Sequence, residues 1–271
     1  AEVKNVVFTG NARDKSSGGA VTAYGTLSVS DTTFSNSTAR SNGGAIACYG
    51  GTTEAENVVF TENTANNAGA VYLANKAKAT FSADEENISF TGNSAKNQGG
   101  AILAKEDAEI NIDGYLFAAN NAVGHGGAVY VDAAEGPLSK ATITNCNFTE
   151  NVTTGSGGAV ATNSGTIDVL NTNFVKNEAT NGGAVYQTGK GAMITLAVED
   201  GKAALFTNNY ATAGENRRGG AIRINHGEMI LSGYTFENNS VDALSKYGSR
   251  GDEVRQIQTK LKRWGYYTGN V

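Results

Sequence analysis

Apolar and polar residues alternate along the chain in short runs that stop at clusters of small residues. Leu27-x-Val29, Ile110-x-Ile112, Ile167-x-Val169, Ile194-x-Leu196 and Met229-x-Leu231 are such runs. In most of them the second apolar residue stands five positions before a phenylalanine, as Val29 does to Phe34 and Ile112 to Phe117. That phenylalanine opens a second motif. Phe-x-x-Asn occurs at Phe8/Asn11, Phe60/Asn63, Phe90/Asn93, Phe117/Asn120, Phe148/Asn151, Phe174/Asn177, Phe206/Asn209 and Phe236/Asn239, while Phe34 keeps the phase with Ser37 in the Asn slot. After each Phe but the last comes Gly-Gly-Ala-Ile/Val, at Gly18, Gly43, Gly99, Gly126, Gly157, Gly182 and Gly219, and once as Ala68-Gly69-Ala70-Val71.

Period-2 alternation over runs this short, broken by Gly, Asn, Ser and Thr, predicts strands, three to a repeat. A repeat of roughly 25 to 37 residues is the length of a solenoid turn. The fold class expected is therefore all-β: a parallel β-helix over residues 1–241, with three strands per coil and about eight coils. Stacking at about 4.8 Å puts each Phe over the last Phe and each Asn over the last Asn, in a rod about 40 Å long. Inward Phe, Ile, Val and Leu then form columns that no single coil could bury. Asn fits a bend where its side chain satisfies turn backbone or stacked neighbours, and the Gly pair fits a tight corner. The single proline, Pro137, agrees, since proline deletes ladder hydrogen bonds.

Phe-x-x-Asn alternating with Gly-Gly-Ala-Ile/Val resembles the repeat of the chlamydial polymorphic outer-membrane proteins and related bacterial surface β-helices. The resemblance covers roughly residues 1–241. It implies a right-handed parallel β-helix displayed outside the cell, often with adhesive function, and so an extracellular or bacterial cell-surface location. The membrane barrel that closes such proteins does not follow within these 271 residues.

Composition narrows the picture. No run of 18 apolar residues occurs, so no transmembrane helix is expected, and no basic segment followed by an apolar stretch opens the chain. Thirty-five glycines and 8% aromatic residues suit thin, turn-dense coils. Net charge is −5 but uneven: the last 26 residues carry +4 and the preceding 245 carry −9. A rod that negative does not attract nucleic acid. The acidic runs Asp84-Glu85-Glu86, Glu106-Asp107-Ala108-Glu109 and Glu199-Asp200 fall in lengthened coils, and solvated loops and a weak calcium site are both open readings of them. Cys48 and Cys146 lie four coils apart, too far for a disulfide, and read as small buried hydrophobes.

If Ile/Val after Gly-Gly-Ala points inward, the next residue points outward. Those positions hold Tyr72, Leu103, Tyr130, Ala161 and Tyr186, an apolar-aromatic stripe on an exposed sheet face. Such a stripe either binds a glycan or protein partner or is simply tyrosine packing along an exposed ladder. Insertions in solenoids map to loops that commonly carry binding, which adds Arg217 and Arg218 in the Glu215–Arg218 loop as candidate contacts.

After Asn239 the repeat ends. Val254, Ile257, Leu261 and Trp264 recur at helical spacing, with acidic residues at the start, basic ones in the last turn and Gly265 as a stop, which predicts a C-terminal helical segment within residues 242–271. The text from Tyr247 to Gly269 resembles the first half of the peptidoglycan-binding module of bacterial cell-wall hydrolases, notably spore cortex-lytic enzymes. The resemblance implies wall binding through residues 246–271. A cap over the open end of the solenoid is the alternative.

Catalysis is not expected. Polysaccharide-cleaving β-helices need carboxylates converging on one groove, and no Asp or Glu recurs at one phase in neighbouring coils. His125 and His226 occupy non-equivalent turn slots, and no nucleophile motif, phosphate loop or zinc spacing occurs. No catalytic residue, metal or cofactor is assigned. The sequence reading is thus an adhesin-like surface rod that binds a host or cell-surface protein or glycan; head-to-tail self-association into fibres is the structural alternative.

Overall fold

The computed structural model describes residues 1–85, 87–134, 138–212 and 218–241. The expected helix over 252–264, Pro137 and Arg217 lie outside the described residues. Within them the chain coils into a parallel β-solenoid of about nine turns, one more than the motif count suggested. Each of the first eight turns contributes a strand to each of four sheets, so that neighbours in a sheet are four elements apart in sequence. Three of the sheets have nine strands and the fourth has eight.

One turn illustrates the pattern: Lys78–Ser82 lies in the first sheet, Ser89–Thr91 in the second, Ser94–Ala95 in the third and Ile102–Lys105 in the fourth. Alternation predicted three strands per turn. The strand it missed is the third, whose two residues are too few to show a period. Its trace in the sequence is the small residue two places after the Asn slot of the seven interior turns. Ala39, Ala65, Ala95, Ala122, Ala179 and Ala211 are all buried there.

Register follows the motif. Phe60 pairs with Phe34 on one side and Phe90 on the other, Phe117 with Phe148, and Phe174 with Phe206. Successive rings from Phe8 to Phe236 stack with centroids 4.5–5.3 Å apart and planes within 13° of parallel. Seven of these rings, Phe34 to Phe206, are fully buried. The end rings are not: Phe236 is 44% exposed. Burying each ring against copies of itself is what makes the stack stable, since one coil alone encloses almost nothing.

The Asn column carries the second constraint. The backbone N–H and the Nδ2 of Asn93 both donate to Oδ1 of Asn120, at 3.0 Å each, and Nδ2 also donates to the Phe60 carbonyl at 3.0 Å. The same three bonds repeat at Asn63, Asn120, Asn151, Asn177 and Asn209. These amides are fully buried, and an amide without partners there would carry the full desolvation cost. Ser37, in the Asn slot of the second turn, donates only its backbone N–H to Asn63 Oδ1.

Both glycines of each Gly-Gly-Ala are needed, for different reasons. The first has φ between +58° and +75° wherever it is Gly, and Ala68 takes φ +54° in its place. The second packs on the neighbouring coil: a Cβ at Gly100 would sit 1.8 Å from the Gly127 carbonyl oxygen, and one at Gly69 2.1 Å from that of Gly100. This explains why the third copy replaces only its first Gly. Both cysteines are free and buried, and burial pushes the Cys48 thiol up to about 11 and the Cys146 thiol up to about 12.

Candidate interaction surface

The corner between the third and fourth sheets differs in length from turn to turn. Chain leaving the third sheet at Ala122 runs through Val123, Gly124 and His125 to the left-handed Gly126 before entering the fourth sheet at Val129. The turn is so sharp that a Cβ at Gly126 would lie 2.3 Å from the Val129 carbonyl oxygen and 2.9 Å from Tyr130 Cβ. The chain before the glycine pair is thus folded over the outward side of the strand that follows it.

That fold-over corrects the expected stripe. Tyr72, Leu103, Tyr130, Ala161 and Tyr186 do form one register column on the outward side of the fourth sheet, paired in that order and continued by Arg223. They are not exposed. Tyr72 is 5% accessible, Leu103 and Tyr130 2% each, and Ala161 is fully buried. With Ala47, Ala68 and Ala74 they make a second, smaller core outside the sheet, against which Tyr49 and Tyr186 pack half-buried. A residue can point outward from a sheet and still be covered when a neighbouring bend lies on top of it. Period-2 geometry gives the direction of a side chain and says nothing of what stands beyond it.

The cover is largely polar. Asn67 Nδ2 donates to Asn42 Oδ1 at 2.9 Å, Asn42 Nδ2 to the Tyr49 hydroxyl at 3.2 Å, and that hydroxyl to Ser17 Oγ at 2.7 Å. Further along, Arg223 donates to the Asn181 side chain. His125 sits between, its ring 5.6 Å from Tyr130 and 5.9 Å from Tyr186, nearly parallel to the latter. Burial lowers the proton affinity of its imidazole, an effect that nearby Asp132 partly opposes. Its Nδ1 is enclosed and has no hydrogen-bond partner among the described residues. Burial also raises the hydroxyl pKa of Tyr72 and of Tyr130 well above the usual phenol value.

A groove of about 380 Å³ opens at this corner, lined by Asn67, Lys96, Asn97, Gln98, Val123, Gly124 and His125. Its cause is a length difference. Two residues, 66–67, link the buried Ala65 to Ala68, whereas three, 96–98 and 123–125, link the corresponding positions of the next two turns. The longer links overhang the shorter one.

Elsewhere three of the acidic loop residues are each paired with one lysine. Glu109 meets Lys78 at 3.0 Å, Glu106 meets Lys105 at 3.1 Å and Glu199 meets Lys202 at 2.9 Å. Among the described residues no three His, Cys, Asp or Glu side chains converge as a metal site would need. Arg218 is exposed, and its carbonyl accepts the Gly182 N–H at 3.0 Å. The groove was not legible as such in the sequence, although the shortened Ala68 repeat marks its edge.

Residues 87–105 match the Chlamydia polymorphic membrane protein repeat. The matched segment holds Phe90, Asn93 and Gly99-Gly100-Ala101-Ile102, and spans three of the four strands of one turn. Neither the curated proteins nor the solved structures contain a match to the chain.

Proposed function

We propose that the chain is an extracellular, adhesin-like display rod of a bacterial cell surface, coiled in the right-handed sense usual for parallel crossovers. It binds a host or cell-surface protein or glycan, and it does so through corner loops rather than through its sheets. The observation that carries this reading is the similarity of residues 87–105 to a surface-protein repeat, in a turn whose apolar side chains are all taken up by packing. A scaffold of this kind holds its bends in fixed positions, and bends are where binding residues collect. Tyr72, Leu103, Tyr130 and Tyr186 then act as the platform beneath the loops, with Arg218 among the exposed residues at the same corner.

The reading is of a binding protein rather than an enzyme, and it is supported by the pairing of Glu109, Glu106 and Glu199 each with a lysine in the lengthened coils. A purified chain should bind saturably to cultured epithelial cells and be displaced by excess unlabelled chain. Binding that never saturates, or that a scrambled surface-charge variant reproduces, would sink the proposal. Tyr130→Ala should lower the melting temperature sharply, since deleting a buried aromatic side chain costs about 3–5 kcal/mol. Weakened binding with unchanged melting would return Tyr130 to direct contact.

A second reading has its own observation. Phe236 is 44% exposed and stacks on Phe206, and among the described residues Asn239 bonds only toward Asn209 and Phe206. A second copy placed with its Phe8 and Asn11 over Phe236 and Asn239 would continue both columns, giving head-to-tail fibres visible by electron microscopy. Wall contact through residues 246–271 predicts co-sedimentation with purified peptidoglycan.

A further inference from the structure

We propose that the groove between Asn67, Lys96–Gln98 and Val123–His125 is a saccharide-binding site for a sugar bearing a single carboxylate. The proposal rests on the surface-binding role above and gives it a ligand class and a place.

The groove's chemistry selects that class. Three amide side chains, Asn67, Asn97 and Gln98, line it. An amide offers a donor and an acceptor side by side, which matches the paired hydroxyls of a sugar ring. Neither Asn97 nor Gln98 uses its side chain in a hydrogen bond within the described residues, so both are available. Val123, 56% exposed, supplies an apolar patch for the C–H face of a ring. Lys96 is exposed and has no carboxylate at ion-pair distance among the described residues, whereas Lys78, Lys105, Lys176 and Lys202 each have one. Its ammonium is the counter-charge for an acidic sugar.

A polyanion fits less well. The 245 residues that include the groove carry −9 overall, so a chain of charges would be repelled by the rod while one carboxylate beside Lys96 is not. His125 adds direction. Its Nδ1 is enclosed without an acceptor, and a buried orphan N–H is rarer than a buried unpaired lone pair. The neutral ring therefore keeps its proton on Nε2, as a donor on a residue that lines the groove. Stacking on Tyr186 and a tilted contact with Tyr130 fix the ring's plane, so the donor is held in place before a ligand arrives.

Gly124 keeps the groove open. A Cβ there would stand 2.8 Å from the Asn97 carbonyl oxygen and 3.3 Å from Gln98 Cγ, inside the space a ligand needs.

The test is titration of the full chain with sialyllactose, glucuronic acid and neutral lactose, followed by ligand-observed NMR. Sialyllactose or glucuronic acid should bind, and lactose should bind at least about tenfold more weakly, as expected for loss of one charge-assisted hydrogen bond. Lys96→Gln should lose about tenfold for the acidic sugars, leave lactose unchanged and keep the wild-type melting temperature. Asn97→Ala, another exposed position, should weaken all sugars together. Equal binding of lactose and the acidic sugars, indifference to Lys96→Gln, or no binding of any probe at millimolar concentration overturns the proposal. Cell binding separates the two levels: if Lys96→Gln retains full adhesion the groove proposal fails and the adhesin reading stands. If the chain binds the sugars but not cells, the groove stands and the adhesin reading fails.

Discussion

At the scale of single residues, most positions serve the next coil rather than their own. Asn120 bonds to Asn151, to the carbonyl of Phe90 and to the Asn93 that precedes it, and none of these partners is nearer than 27 residues in sequence. His125 differs, because it is half-buried among tyrosines with one nitrogen unpartnered. Its folded proton affinity is lowered by burial from the ordinary 6.5, with Asp132 opposing. The unfolded chain therefore binds a proton near 6.5 that the folded chain resists. Between the two values the unfolded state holds more protons, so this contribution to stability is complete above 6.5 and is lost as pH falls below it. Melting curves recorded across that range should show a larger acid-side decrease for the wild type than for His125→Gln, which removes the titration. Parallel pH profiles for the two proteins would mean that His125 titrates as freely in the fold as outside it.

At the scale of an element, the bends decide more than the strands. The third residue of every Phe-x-x-Asn lies in the left-handed region, at Gly10, Asn36, Glu62, Gly92, Ala119, Glu150, Lys176, Asn208 and Asn238, with φ between +52° and +65°. Glycine or asparagine is the easy choice there, and Ala119 carries strain that its exposed methyl does not recover by packing. Ala119→Gly should therefore raise stability, by about 1 kcal/mol or less once the added unfolded-state entropy is set against the relief. Gly100→Ala goes the other way, because the new methyl meets backbone of the next coil at 1.8 Å, and a loss of about 3 kcal/mol or more is expected. Urea denaturation of both variants checks the pair. Opposite signs are required, and a neutral Gly100→Ala would mean that the coils can move apart at little cost.

The same bends explain what was legible in the sequence. Phenylalanine, asparagine and the glycine pair recur because each is constrained on both sides by a copy of itself, and such constraint leaves a repeating mark. The two-residue third strand left only an alanine two places after the Asn in most copies. The groove left less, since it arises from one residue fewer between Ala65 and Ala68 than between Ala95 and Gly99. The tyrosine column was placed correctly in register but wrongly in exposure.

At the scale of the molecule, stability is a sum of coils and of contacts between adjacent coils. Interior turns have neighbours on both sides, whereas the first turn is largely accessible and the ninth exposes Ile230, Leu231 and Phe236. Amide hydrogen exchange should follow that gradient, slowest for strands around Phe90, Phe117 and Phe148 and faster toward Phe8 and Phe236. A uniform exchange rate along the rod would indicate a single cooperative unit instead.

The amino-acid order alone determined that this chain coils, what lines the inside of each turn, and which residues stack on which, because those facts repeat and repetition can be read without coordinates. Where the outside is covered, and where a groove opens, came only from the tertiary structure. Both depend on how far one bend overhangs the next, a comparison between residues some thirty positions apart that no local pattern records.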